Sequence, residues 1–193
     1  IPRLTFKSYP CGSISHPYMD CALKIKQRYA PRPAEIAEIV CRTAEGPVHR
    51  LWEPLADKQK PVSSYGAKFS LPYSIAVMLV RGRAGLDEFT EEAIRDPAVL
   101  DLARRVRYEL DPTIDYPRHF SGHVKVFMKD GTRFEENQPH PRGGFDDPLP
   151  PAEIEEKFRA NAGLALTLEK VEAALDAVKR LEQLSSVRIL TEL

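Results

Sequence analysis

Tyr18, Cys21, Ala22, Ile25 and Tyr29 recur at spacings of three and four, the pattern of a helix with one buried stripe. Ser15 stands where it can cap that helix, with His16 and Pro17 in its first turn, and Pro31-Arg32-Pro33 ends it. Upstream, residues 3–9 read as a short strand closed by Pro10 and the turn Cys11-Gly12-Ser13. Downstream, residues 36–43 (IAEIVCRT) are rich in β-branched side chains and predict a strand. Gly46-Pro47 then turns the chain into a second expected extended stretch, Val48 to Trp52, and the polar residues 54–66 read as a loop.

Residues 68–81 predict a mostly apolar helix, with Pro72 near its start and Gly82 near its end. Asp96-Pro97 marks another helix start, a capping side chain followed by proline at the first helical position. Val99, Leu102, Ala103 and Val106 form its inward face, and residues 105–110 are expected to turn into a strand. Residues 123–135 give the clearest hairpin pattern: Val124, Val126 and Met128 alternate with Lys125, Phe127 and Lys129, and Asp130-Gly131 suits a type I′ turn. A Pro/Gly-rich loop over 137–151 leads to helical segments at about 151–161 and 167–185. The second carries a long stripe of Val171, Ala174, Leu175, Val178, Leu181 and Leu184.

Strands and helices mix through residues 1–140 and only helix follows in 141–193, which predicts an α+β domain with a helical tail. The tail's apolar face has little nearby to cover it, so it is expected to pack on the α+β unit or on a helical domain outside this chain. The chain lacks an initial Met, and its abrupt start reads as a piece of a longer protein. Lys plus Arg equals Asp plus Glu, 28 against 28, so bulk charge favours neither nucleic acid nor an anionic membrane. The longest nearly apolar run, Leu71 to Val80, is too short to span a bilayer, and the N-terminus lacks a signal-peptide pattern. Cys11, Cys21 and Cys41 are odd in number and have no CxxC spacing. These features together read as a reduced, cytoplasmic protein with no metal centre.

Residues 7–16 (KSYPCGSISH) carry the most chemistry. A glycine-containing turn feeds a helix start, where the N–H groups around Gly12 and Ser13 and the positive end of the helix dipole suit a carboxylate. Lys7 can aim its ammonium at the same spot, or be an ordinary surface lysine. His16 is a candidate acid or base, or a structural histidine bonded to backbone. Ser70 and Tyr73 place a hydroxyl and a phenol at a second helix start; Tyr73 is equally read as a residue at the core's edge. Arg142, in His140-Pro141-Arg142-Gly143-Gly144, suits bidentate carboxylate binding but reads better as part of a rigid connector. No P-loop, GxGxxG, GxSxG, HExxH or EF-hand pattern occurs. A Cys11–His16 nucleophile pair is disfavoured.

The strings KSYPCGSISHPYMDCAL (7–23), AKFSLPYSIAVMLVRG (67–82) and HPRGGFDDPLPPAEIEEKF (140–158), with the stretch around Asp96-Pro97, resemble the C-terminal half of the MmgE/PrpD family. The resemblance implies a small α+β lid, a missing N-terminal helical domain onto which the final helices return, and a site between the two. It also implies a homodimer, small polycarboxylate substrates and no required organic cofactor. It carries over Lys7 and Tyr73 as active-site residues, with His16 as a recurrent histidine. The cis-aconitate decarboxylase pattern has histidine five residues after the lysine, where this chain has Gly12. The expected reaction is therefore dehydration of a 2-methylcitrate-like hydroxy acid. Epimerisation of a related dicarboxylate is the alternative, and a non-catalytic acid-binding or assembly module is the third reading.

Overall fold

Val124 and Val126 are buried on an inner strand of a four-stranded sheet against which the first long helix packs. A computed structural model describes residues 4–192. It divides into two compact units, the first ending at Pro148 and the second beginning at Leu149. Both sheet and helices are present, so the chain is α+β.

In the first unit the strands are β1 (Ile36–Thr43), β2 (Val106–Leu110), β3 (Gly122–Met128) and β4 (Arg133–Gln138), in the order β2-β1-β3-β4. β1 runs parallel to β2 with Ile39 opposite Val106, and antiparallel to β3 with Cys41 opposite Val124. β3 and β4 form the expected hairpin, with Val126 opposite Phe134. Its turn differs from the type I′ expectation. That type needs positive φ at two central residues, and here only Gly131 has it (φ 87°).

α1 (His16–Tyr29) packs across β3 and β4 and against the buried helix α5 (Leu71–Arg81). Its stripe of Tyr18, Cys21, Ala22 and Ile25 is buried, whereas Tyr29 is 41% exposed and stacks on Phe134 at 4.4 Å. The helix stops at Ala30, whose φ of 44° takes the chain out of the right-handed region before Pro31. Gly122 lets α1 approach: a Cβ there would lie 2.3 Å from the Pro17 carbonyl carbon. α5 ends at Gly82 (φ 72°) and packs on α6 (Pro97–Ala103), where Asp96 caps the amide of Ala98 at 2.9 Å.

Three local expectations are corrected. Residues 4–9 form no strand and pair with no strand among the described residues; Arg3, the first residue of the expected strand, lies outside the described residues. Val48–Leu51 is a helical turn, α2, because Pro47 presets the dihedral for a helix start and Trp52 is thereby swung into the core against Tyr108. The polar stretch 54–66 is mostly two short helices, α3 (Leu55–Gln59) and α4 (Ser64–Ala67), the latter capped by Ser63. Lys58 ties them to the site region, donating to the carbonyls of Arg50 (2.7 Å) and Phe69 (2.9 Å).

In the second unit, α7 (Pro151–Ala162) and α8 (Leu168–Lys179) are joined by ion pairs of Arg159 with Glu172 (2.6 Å) and Lys179 with Glu155 (2.8 Å). α8 ends earlier than expected, and a 3-10 turn at Leu181–Gln183 and the short α9 (Ile189–Glu192) follow. Val171 and Leu175 of the predicted stripe are buried, but Val178 is 54% and Leu181 45% exposed.

Candidate functional site

The segment 7–15 wraps the start of α1 and is held by backbone from two other loops. Lys7 Nζ donates to the Cys11 carbonyl at 3.1 Å, and the next amide, Gly12 N, donates to the Lys68 carbonyl at 3.0 Å. The Cys11–Gly12 peptide is thus held by one lysine's ammonium and by the other lysine's backbone. The ammonium groups of Lys7 and Lys68 both act on the Cys11 thiol, favouring its anion. Burial outweighs them and pushes that thiol up to about 12, which disfavours its nucleophilic anion.

Behind this loop lies a buried polar cluster. Tyr9 Oη donates to Asp20 Oδ1 at 2.7 Å, and Arg142 Nε lies 3.4 Å from the same oxygen. Tyr9 also meets the His16 ring edge-on at 5.3 Å. Burial raises the pKa of Asp20, opposed by the Tyr9 hydrogen bond and the Arg142 charge. Burial likewise holds the Tyr9 phenol well above its ordinary range, so it stays protonated and donates. Ser8 Oγ donates to the Arg142 carbonyl at 3.4 Å and Phe6 N to Gly143 O at 2.8 Å, which docks the 140–147 loop beside Lys7.

Of the residues singled out in the sequence, Lys7, Gly12, Ser13, His16 and Arg142 therefore gather around one loop and one helix start. Ser13 opens the 3-10 turn Ser13–Ser15, and Lys7 is the exposed member of the group. The Gly12 amide is occupied by Lys68, so it does not join the set of donors expected to converge on a ligand. His16 is buried as the first residue of α1.

Ser70 and Tyr73 have other occupations. Ser70 caps α5, accepting from Tyr73 N at 3.0 Å while its hydroxyl donates to Lys58 O. The Tyr73 hydroxyl donates to the Glu88 carbonyl at 2.5 Å, beside Phe89, and burial raises its pKa. It borders a cavity of about 200 Å³ lined also by Arg81, Arg83, Asp87 and Asp96, where Arg81 pairs with Asp96 and Arg83 with Glu88.

Asp20 and Lys68 escaped the sequence reading. Both lie inside strings singled out above, Asp20 in 7–23 and Lys68 in 67–82, but neither is a residue that spacing or the resemblance marks for chemistry. Among the described residues no group of three or more His, Cys, Asp or Glu could hold a metal ion, and no helix is long and apolar enough to cross a membrane.

The sequence that builds this sheet and its docked loop matches a known family. The sequence model of the MmgE/PrpD C-terminal domain matches residues 9–183, and the chain belongs to that family. Among its relatives, cis-aconitate decarboxylase of Homo sapiens is 30% identical and that of Mus musculus 29% identical, each over 98% of this chain and 39% of the relative. The 2-methylcitrate dehydratase-like protein oryR of Aspergillus oryzae is 30% identical over 83% of this chain and 34% of its own length. The chain thus spans about two fifths or less of these relatives.

Proposed function

We propose that this chain supplies the lid side of an enzyme that removes a proton beside a carboxylate of a small polycarboxylate, and that the reaction is dehydration of a 2-methylcitrate-like hydroxy acid. The observation that carries this reading is the pair of lysines, Lys7 and Lys68, on either side of the Cys11–Gly12 peptide. Proton loss next to a carboxylate builds negative charge on that group, and nearby cations stabilise it. Lys7 receives the carboxylate next to the reacting carbon and Lys68 a second one. The general base, and the acid that protonates the leaving hydroxyl, come from the helical domain outside this chain. No cofactor or metal is invoked. Val178, exposed on α8, and Leu181, exposed in the turn after it, would be covered by that same domain, and the whole protein would assemble as a homodimer.

Decarboxylation of cis-aconitate is the second reading, favoured by the names of the human and mouse relatives. Against it stands Gly12, at the position where the decarboxylase resemblance calls for histidine. Nothing in the backbone demands glycine there: φ is −60°, and an added Cβ would make ordinary contacts at 3.5 Å or more.

The test is to give the full-length protein 2-methylcitrate, citrate and cis-aconitate, following alkene absorbance, carbon dioxide release and proton exchange in D₂O. Alkene formation that falls at least about 100-fold in kcat/KM in Lys7→Ala supports dehydration at this site. Carbon dioxide release selects the decarboxylase, and exchange without an alkene selects an epimerase. Silence in all three leaves a non-catalytic acid-binding module.

A further inference from the structure

We propose that Asp20 is a positioning residue, fixing Arg142 and, through Tyr9, the Lys7 loop in one geometry. The inference rests on the polycarboxylate reading above and adds to it a third cation, Arg142, with the device that aligns it and the Lys7 loop.

Asp20 lies in the second turn of α1 and is 2% exposed. A buried carboxylate is a poor way to add stability, because leaving water offsets most of what its partners return. This one is also incompletely used. Both contacts fall on Oδ1, while Oδ2 is buried with no hydrogen-bond partner among the described residues. A staple selected for stability alone would be apolar or would engage both oxygens. What the arrangement does achieve is to join three separate segments. Tyr9 is two residues from Lys7, and Arg142 sits at the head of a glycine-rich loop that has no secondary structure of its own.

One turn along the same face of α1, Lys24 repeats the grip. Its ammonium donates to Gln138 Oε1, and Gln138 Nε2 in turn donates to the His140 carbonyl (2.7 Å) and to Asp147 Oδ2 (2.8 Å). Gly143 N closes the loop on Asp147 O at 2.7 Å. The 138–147 segment is therefore held by α1 at Gln138 and at Arg142, and Asp20 is the grip that faces Arg142. The charge on Asp20 orients the Arg142 guanidinium toward a carboxylate of the substrate.

The experiment compares full-length wild type with Asp20→Asn, which keeps size and an oxygen acceptor while removing the charge, and with Tyr9→Phe, which removes the other anchor. With citrate and 2-methylcitrate as probes, Asp20→Asn is expected to raise KM about tenfold with kcat within about threefold. Hydrogen exchange should quicken about tenfold in the peptide covering 139–147 and stay unchanged in 71–81. Tyr9→Phe should loosen 5–12 in the same assay. The charged and titratable groups facing Asp20 are Tyr9, Arg142, Lys24 and Asp147. As pH falls and Asp20 takes up a proton, wild type should converge on Asp20→Asn in KM. A merely structural role would instead quicken exchange throughout the domain and leave KM unmoved, and that result overturns the proposal, as does unchanged protection of 139–147. If wild type neither binds nor turns over any polycarboxylate, the functional reading fails on its own, and the exchange arm still decides whether Asp20 holds the two loops.

Discussion

Gly122 of β3 lies directly beneath Pro17 of α1, so close that a Cβ on Gly122 would stand 2.5 Å from both the Pro17 carbonyl oxygen and the Tyr18 amide. These are backbone atoms that no rotamer change can move. Gly122→Ala must lift α1 off the sheet, and the expected loss is about 3 kcal/mol or more in urea unfolding. Gly131→Ala is the control: its surroundings are open and only its φ of 87° is strained, so about 1 kcal/mol is expected.

Tyr73 is expected to behave as a core residue with an internal bond. Tyr73→Phe leaves the Glu88 carbonyl without its 2.5 Å donor, a loss of about 1–2 kcal/mol in unfolding, while kcat of the full-length enzyme stays within about threefold. A fall in kcat of about 100-fold with unchanged stability would instead put the phenol at the reacting atoms.

Asp96 gives a pH signature. Burial pushes its carboxyl up, but the bond from Arg81 and the amides of Ala98 and Val99 outweigh that, leaving it below the ordinary carboxylate range. A carboxylate lowered by folding contributes stability that is fully present above its unfolded pKa and is lost as pH falls through the folded one. Asp96→Asn keeps an acceptor for the Ala98 amide and drops the charge. Its unfolding free energy should therefore decline less than that of wild type between about pH 4 and pH 2, read from urea titrations at each pH. Asp96→Ala should also lose the cap, about 1 kcal/mol at neutral pH.

The three thiols should be silent in the folded protein. Cys11, Cys21 and Cys41 are all buried, and burial pushes the first two up to about 12 and the third well above its ordinary value. With a thiol-specific disulfide reagent at pH 8, no reaction is expected over minutes in buffer, and all three should react in denaturant. One fast thiol in the native state would contradict the packing of Cys11 against Met19 Sδ at 3.5 Å.

Where local chemistry decides the structure, the sequence is readable. β1 spans the predicted 36–43 because its β-branched run is central in the sheet, and α6 starts at Pro97 because Asp96 caps it. Val48–Trp52 has strand composition, yet its conformation is settled by Trp52 reaching Tyr108 and Tyr18, contacts that no window of sequence contains. Residues 4–9 alternate like a strand but have no strand partner to pair with. The site follows the same division. Lys7, Gly12 and His16 stand out as candidates within one continuous string, whereas Asp20, in the same string, acquires meaning only when Arg142, far along the chain, folds back onto it.

The position of β1 also governs the order in which this domain can be made. Both neighbours of β1 lie later in the chain, β3 at Gly122–Met128 and β2 only after the long connection through α2 to α6. During synthesis at roughly 5–20 residues per second, β1 leaves the ribosome on the order of ten seconds before its partners and must wait with both edges bare. β2 is the first of these partners to emerge, the β3–β4 hairpin then has only a short turn to close, and the antiparallel β1–β3 pairing spans the longest stretch of chain.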